Sequence, residues 1–235
     1  MFKNKIKISF VVPAYNSEKT IEQCLKGIRN IILTKEIIVI DDGSKDNTSF
    51  IAKKYADKII SIKHSGPARA RNIGWLNTNF DIIMFVDSDV VINTSCIKEI
   101  LKRLKKYDVL IFGDKSFELS LDINKFVPPQ DITLIKKNVL KTIKGYSEIF
   151  PWPAGEDTDM LIKALKSGFR CKSLKCKYTH LGRHQKNKKL LLIRWISNFI
   201  MNLKNIDTRI SKQWLLRKIT GFIILKYLKK DNNSV

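Results

Sequence analysis

Acidic residues are scarce in this sequence. Its 22 Asp and Glu stand against 44 Lys and Arg, a formal net charge of +22 over 235 residues. That imbalance turns the chain toward anionic partners and surfaces. Cysteine is sparse as well: Cys24, Cys96, Cys171 and Cys176 lack the spacing of a small disulfide scaffold, and four reduced thiols are expected. No stretch reaches the roughly 18 uninterrupted apolar residues of a spanning helix. The first fourteen residues do not read as a secretory signal, because lysines and Pro13 interrupt a β-rich run and no small-residue cleavage site follows. A protein kept in the cytoplasm is the expectation. Internal repeats and low-complexity linkers are absent too, so one large domain, or two closely packed halves with a tail, fits the length.

What is present is enough to build a core, since 44% of the residues are hydrophobic. The first half alternates strand and helix patterns. Lys7–Pro13 is a buried-strand run, and residues 18–32 place Ile21, Leu25, Ile28 and Ile32 on one helical stripe with Ser17 as cap. Glu36–Ile40 is a second strand, a helix starts near Asn47, and Lys58–Lys63 is a short strand before an Ala68–Leu76 helix. Asp81–Val86 is a strand, and Thr94–Lys106 a helix with Ile97, Ile100, Leu101 and Leu104 in step. This alternation predicts a mainly parallel sheet with helices on both faces. Ligands bind such sheets beyond the carboxyl ends of the strands. Farther on, Val109–Gly113 and Arg170–Tyr178 read as strands and Asp159–Lys166 as a helix, whereas residues 116–150 assign no clear element.

Polar clusters fall at the strand ends. Asp87-Ser88-Asp89 follows Ile82–Val86, where two carboxylates on a rigid strand end suit a hard divalent cation bridging to a diphosphate. Alone, an Asp-x-Asp fits a solvated loop equally well. Asp41-Asp42-Gly43-Ser44 ends the second strand; a turn with a helix cap explains Gly43, Asp46 and Asn47 but not two adjacent carboxylates. Cys171, Cys176, His180 and His184 could form a zinc set, but a strand through Lys172–Tyr178 puts the two cysteines on opposite faces.

Five motifs occur in order: Val12-Pro13-Ala14-Tyr15-Asn16, Ile40 to Asp46, Gly66-Pro67-Ala68-Arg69-Ala70-Arg71-Asn72-Ile73-Gly74, Phe85 to Asp89, and Glu156-Asp157-Thr158-Asp159. Over residues 7–184 the chain resembles the family-2 inverting glycosyltransferases. The resemblance implies an α/β, GT-A (Rossmann-like) fold: a mainly parallel central sheet flanked by helices, followed here by a helical basic C-terminal tail. It divides the chain into a nucleotide-sugar-binding half (1–115), an acceptor-binding half carrying the catalytic base (116–185) and the tail (186–235).

The same resemblance implies residue roles. Tyr15 lies against the base of the donor, Asp41 accepts a hydrogen bond from it, and Pro13, Asn16, Arg71 and Asp87 complete the nucleotide contacts. Asp89 binds a divalent cation, Mn²⁺ or Mg²⁺, with His180 completing the shell; His184 and Arg183 are near enough in sequence to bind phosphate or to be the true ligand instead. Asp157 is the catalytic base, with Glu156 and Trp152 on the acceptor side. Asp159 reads as an acid facing its helix dipole, Arg69 as a surface charge, and Arg71 alternatively as a surface ion pair. Ser147 stands where the family commonly has an acid, a difference read as neutral for catalysis. The donor implied is a nucleotide sugar, with uridine diphosphate favoured, and the acceptor a saccharide or lipid-linked hydroxyl in cell-surface polysaccharide or glycolipid synthesis.

From Lys186 to Lys230, twelve Lys or Arg face one acid, Asp207, so under a fifth of the chain carries half its net charge. Trp195, Phe199, Trp214 and Phe222 punctuate helical patterns there. Helices packed on the core, an interfacial helix pair on an anionic membrane, and a nucleic-acid surface all fit that composition. A basic nucleic-acid-binding module leaves the ordered acidic motifs without a purpose, so nucleic acid is not the expected partner. A degenerate, scaffold-like glycosyltransferase is disfavoured by the same intact motifs.

Overall fold

Four parallel strands form one side of the sheet: β1 (Lys7–Ala14), β2 (Thr34–Asp41), β3 (Lys58–Ser61) and β4 (Ile82–Val86). The computed structural model describes residues 6–113, 131–149, 156–176 and 178–182. All belong to the first of two units, Met1–Asn198, and the second, Phe199–Val235, lies outside the described residues. Ile8, Phe10, Val11 and Val12 of β1 are fully buried, as a strand covered on both faces requires. Parallel register aligns Ala14 with Asp41 and Val11 with Phe85, so β1, β2 and β4 all end along one edge.

The other side is mixed. The sheet order is β3-β2-β1-β4-β7-β6-β8, with β6 (Val109–Gly113), β7 (Ile132–Lys136) and β8 (Cys171–Lys175). Strand β7 runs antiparallel to both β4 and β6, while β6 and β8 are parallel. Its pairing of Ile132 with Val86 delivers Asp131 to the edge where β4 ends. A separate two-stranded ribbon joins β5 (Val90–Ile92) and β9 (Tyr178–His180).

Helices cover both faces. On one lie α1 (Ile21–Arg29), α2 (Thr48–Ala52) and α4 (Thr94–Arg103), packing Leu25, Ile28, Ala52 and Ile100 against Phe10, Val12 and Met84. On the other lie α3 (Pro67–Leu76), α5 (Lys137–Ile143) and α6 (Glu156–Lys166), packing Ala70, Trp75, Val139 and Met160 against Val11, Ile40 and Ile83. Successive β1 residues thus feed opposite cores, as strand periodicity dictates. Helix α3 sits close to the sheet at Gly74, where an added Cβ would stand 2.2 Å from Val11 Cγ1.

Several expectations are corrected. Helix α1 starts at Ile21 with Thr20 as its cap; Ser17 acts through its carbonyl, which accepts from the Thr20 and Ile21 N–H groups at 3.0 and 2.9 Å. The single strand expected over Arg170–Tyr178 is two, because β8 stops at Lys175 and β9 joins the other sheet. The four cysteines are not all free thiols. Cys96 and Cys176 form a disulfide, their Cα atoms 5.6 Å apart across 80 residues of sequence, a proximity made by the sheet rather than by local spacing. Cys24 and Cys171 remain free, and burial pushes both thiols up. That pairing takes Cys176 from the zinc set, and His184 lies outside the described residues. The basic tail, Trp152 and Arg183 also lie outside them.

Candidate active site

The loops after β1, β2 and β4 meet over a cleft of about 1060 Å³, at the top of the size range of ligand pockets and large enough for a nucleotide-sized ligand. Pro13, Tyr15, Asn16, Arg71, Asp87 and Asp89 line it together, whereas Asp41, Glu156, Asp157 and His180 are not among its lining residues.

Asn16 holds the first corner. It adopts a left-handed backbone (φ 48°), which asparagine tolerates better than most side chains. Its N–H donates to Ser44 Oγ at 3.0 Å and its Oδ1 accepts from the Lys45 N–H at 2.9 Å, stitching the β1 end to the β2 end. The two carboxylates after β2 have different duties. Asp41 Oδ1 accepts from the Ser44 N–H at 2.9 Å, closing the local turn. Asp42 reaches toward α3: its Oδ1 accepts from the Ser65 N–H at 2.8 Å and its Oδ2 from the Gly66 N–H at 2.9 Å. His64 Nδ1 is 2.9 Å from Asp42 Oδ2, and its ring stacks on Tyr15 with centroids 4.0 Å apart. An exposed aromatic platform with a carboxylate beside it therefore forms one end of the cleft.

Arg71 forms the centre. It projects from α3 into a pocket of carboxylates and is only 5% exposed, so it is not a surface ion pair. Its Nη2 donates to Asp87 Oδ1 at 3.0 Å, its Nη1 to Glu156 Oε1 at 3.1 Å, and Asp157 Oδ1 stands 3.9 Å from Nη1. The Tyr146 ring lies beneath the guanidinium, 5.6 Å from centroid to Cζ. Burial pushes the Asp87 carboxyl up to about 7 despite Arg71, with Asp157, Asp131 and Asp89 adding to the rise. Asp157 is raised for the same leading reason, with Arg71 opposing and Glu156 and Asp131 reinforcing. The arginine is itself held charged well above its ordinary range by Asp157, Asp87 and Glu156, which outweigh its burial. Among the described residues two buried side-chain atoms, Glu156 Oε2 and the Tyr146 hydroxyl, have no hydrogen-bond partner.

Arg69 on the same helix is 54% exposed and pairs with Glu148 at 3.4 Å, the surface position expected of it. Asp159 is buried and salt-bridged to Lys163 at 2.8 Å, and Ser147 Oγ donates to Asp159 Oδ2 and accepts from Lys163 Nζ at 2.6 Å. Both residues are thus occupied in local packing of α6.

At the far end, the β5–β9 ribbon sets His180 opposite Val90. Leu181 N–H donates to Asp89 O at 2.7 Å, and His180 Nδ1 lies 3.6 Å from Asp89 Oδ2 and 2.8 Å from Gly182 O. In the tautomer that donates from Nδ1 to that carbonyl, Nε2 is the ring nitrogen that would face a cation. A Cβ on Gly182 would come within 2.4 Å of Asp89 Oδ2, so glycine leaves the carboxylate its room. No group of three or more His, Cys, Asp or Glu suited to a metal occurs among the described residues. One carboxylate and one imidazole fit a divalent ion that takes its other ligands from phosphate and water.

Sequence reasoning missed His64, Tyr146 and Asp131 as members of this constellation. Tyr178 Oη donates to Asp131 Oδ2 at 2.6 Å, and Asp131 O accepts from the Asp87 N–H at 3.0 Å. Only the antiparallel insertion of β7 makes that proximity, and residues 116–150 carried no pattern from which to read it.

A family model described as glycosyl transferase family 2 matches residues 9–168, well over half the chain. The chain is 29% identical over 152 residues to the poly(ribitol-phosphate) beta-N-acetylglucosaminyltransferase TarS of Staphylococcus aureus, covering 59% of this chain and 26% of that protein. It is 35% identical over 122 residues to an uncharacterized glycosyltransferase of Haemophilus influenzae, 47% of each chain. It spans about a quarter of the TarS sequence and about half of the other. Among solved structures, S. aureus TarS 1-349 in complex with UDP-GlcNAc superposes with a TM-score of 0.66 at 21% identity, covering 89% of this chain and 69% of that one. The mannosyltransferase PcManGT of Pyrobaculum calidifontis, in complex with GDP-Man and Mn²⁺, gives 0.69 at 15% identity, covering 87% and 66%. These structural likenesses bear on the fold, which is the GT-A architecture.

Proposed function

The chain belongs to glycosyl transferase family 2, and from that premise we propose that it moves a sugar from a nucleoside diphosphate to an acceptor hydroxyl in one inverting displacement. The observation that carries this reading is the Arg71 bridge, which gathers Asp87 at the cleft and Asp157 at the head of α6 around one guanidinium. In the proposed step Asp157 takes the acceptor O–H proton as the oxygen attacks the anomeric carbon. The bond from that carbon to the diphosphate breaks on the opposite face, and the nucleoside diphosphate leaves with the electron pair. Holding both partners in line removes much of the entropic barrier, and one well-placed carboxylate serves as base.

On the donor side, Tyr15 offers a face for the base. Asp42 and Asp41 are the two candidate carboxylates for its edge, and Asp42 is favoured because it lines the cleft. Pro13 and Asn16 shape the wall, and Asp87 faces the sugar. Asp89 and His180 would hold a divalent cation, Mn²⁺ or Mg²⁺, which when bound would neutralise charge on the departing diphosphate. A uridine donor is favoured by the likeness to TarS in complex with UDP-GlcNAc, while PcManGT in complex with GDP-Man keeps guanosine open. We assign residues 1–115 to the donor half and 116–185 to the acceptor half, with Glu156 and Trp152 toward the acceptor. The likeness to a poly(ribitol-phosphate) transferase supports a polymeric acceptor, with a lipid-linked one as the alternative, and the basic segment 186–235 suits an anionic membrane surface. No helix among the described residues is long and apolar enough to cross a membrane.

The direct test is a panel of nucleotide sugars incubated with Mn²⁺ and candidate acceptors while diphosphate release is followed. Release from one donor class, dependent on acceptor, supports the assignment. If RNA or DNA stabilises the protein against heat and no nucleotide sugar or diphosphate does, the assignment fails.

A further inference from the structure

Arg71 Nη1 faces two carboxylates on successive residues of α6. Glu156 Oε1 takes it at 3.1 Å, while Asp157 Oδ1 is left at 3.9 Å, within ion-pair reach but beyond a hydrogen bond. Nη2 is committed to Asp87 at 3.0 Å. Glu156 is only 3% exposed, and among the described residues its second oxygen has no hydrogen-bond partner. Burying a carboxylate with an orphaned oxygen is costly, so an arrangement that keeps one here calls for a compensating role. Position supplies one: a carboxylate that hydrogen-bonds a guanidinium directly is a poorer proton acceptor.

We propose that Glu156 is a positioning residue that engages Arg71 Nη1 and so holds the arginine off Asp157, leaving that carboxylate free to take the acceptor proton. The idea rests on Asp157 being the base of the proposed reaction. One guanidinium thereby fixes Asp87 at the cleft without quenching Asp157. The charged or titratable groups around Asp157 are Arg71 on α3, Glu156 on its own helix, Asp131 before β7, Asp87 after β4 and Tyr146 after α5. Among the described residues Arg71 is the one cation in that group, so its position governs how firmly Asp157 is held as an anion.

The test is Glu156→Gln, which keeps the size and a carbonyl for Arg71 but removes the competing charge. Arg71 Nη1 should close on Asp157 Oδ1 to about 2.9 Å in the variant's crystal structure. Its kcat should fall about tenfold with donor KM within about twofold, and the acid limb of its pH–rate profile should move down by about one unit. In an Arg71→Lys background the same substitution should shift the acid limb much less, because the shared nitrogen is gone and only direct repulsion remains. An unmoved Arg71 with unchanged kcat overturns the proposal, as does a full-sized shift in the Arg71→Lys background. Wild-type turnover by Asp157→Asn would overturn the base assignment beneath it. The Nη1–Oδ1 distance, read without turnover, separates that failure from a failure of the Glu156–Arg71 competition.

Discussion

Single side chains divide the labour at the cleft more finely than the motifs do. The adjacent Asp41 and Asp42 look interchangeable in sequence, yet one closes its own turn and the other reaches two backbone N–H groups ahead of α3. Likewise Glu156 and Asp157 differ by 0.8 Å in their approach to one arginine nitrogen (3.1 against 3.9 Å). Backbone hydrogen bonding and shared cations decide such differences, and neither is legible from residue type. At this scale Gly182→Ala makes a clean prediction. The new methyl would displace Asp89 Oδ2, the end of a flexible side chain, so stability without metal should hardly change. Mn²⁺ affinity, measured by calorimetry, should fall about tenfold or more, in the range seen when ligand orientation is lost. Unaltered Mn²⁺ affinity would move the cation away from Asp89. Asp89→Ala should likewise remove the metal dependence of nucleoside diphosphate binding, and retained dependence would carry the same message.

Elements built from local pattern were legible, and those built from long-range pairing were not. Strands β1, β2 and β4 and helices α1, α3 and α4 follow from apolar runs and helical stripes, and their strand-end motifs locate the cleft. Strand β7 could not be read, because an antiparallel strand inserted between β4 and β6 is specified by its partners. The ribbon β5–β9 is three residues per strand, too short for a periodic signal, although it delivers His180 beside Asp89. The Cys96–Cys176 pairing was hidden for the same reason. The packing of α3 gives the element-scale prediction. Gly74→Leu forces side-chain atoms into Val11, and with no room between helix and sheet it should destabilise the protein by about 1–3 kcal/mol. Because Arg71 lies one turn earlier, nucleotide affinity should weaken with it. Chemical denaturation measures the first effect and fluorescence titration the second; a Gly74→Leu protein of wild-type stability would refute the close helix–sheet contact.

Across the whole molecule, a strongly basic chain confines a knot of carboxylates around one arginine, and that crowding has a thermodynamic sign. Asp157 and Asp87 have folded values raised above the ordinary carboxylate range, so between about pH 4 and 7 the folded protein binds more protons than the unfolded chain. Their contribution to stability is complete below pH 4 and is lost as pH rises through 7. The melting temperature of the metal-free, donor-free protein should therefore decline over that window, and Asp157→Asn should flatten the decline. A variant with a wild-type slope would mean that Asp157 titrates normally. The basic segment 186–235 makes a separate prediction: its deletion should release the protein from anionic phospholipid vesicles in a flotation assay, and undiminished flotation would place membrane affinity elsewhere. The most direct measurement compares wild type and Asp157→Asn in one experiment, pairing nucleotide-sugar binding with acceptor-dependent diphosphate release. The account predicts donor affinity within about twofold of wild type and transfer reduced at least about a hundredfold, the scale of a lost general base. Transfer at the wild-type rate by Asp157→Asn would contradict it.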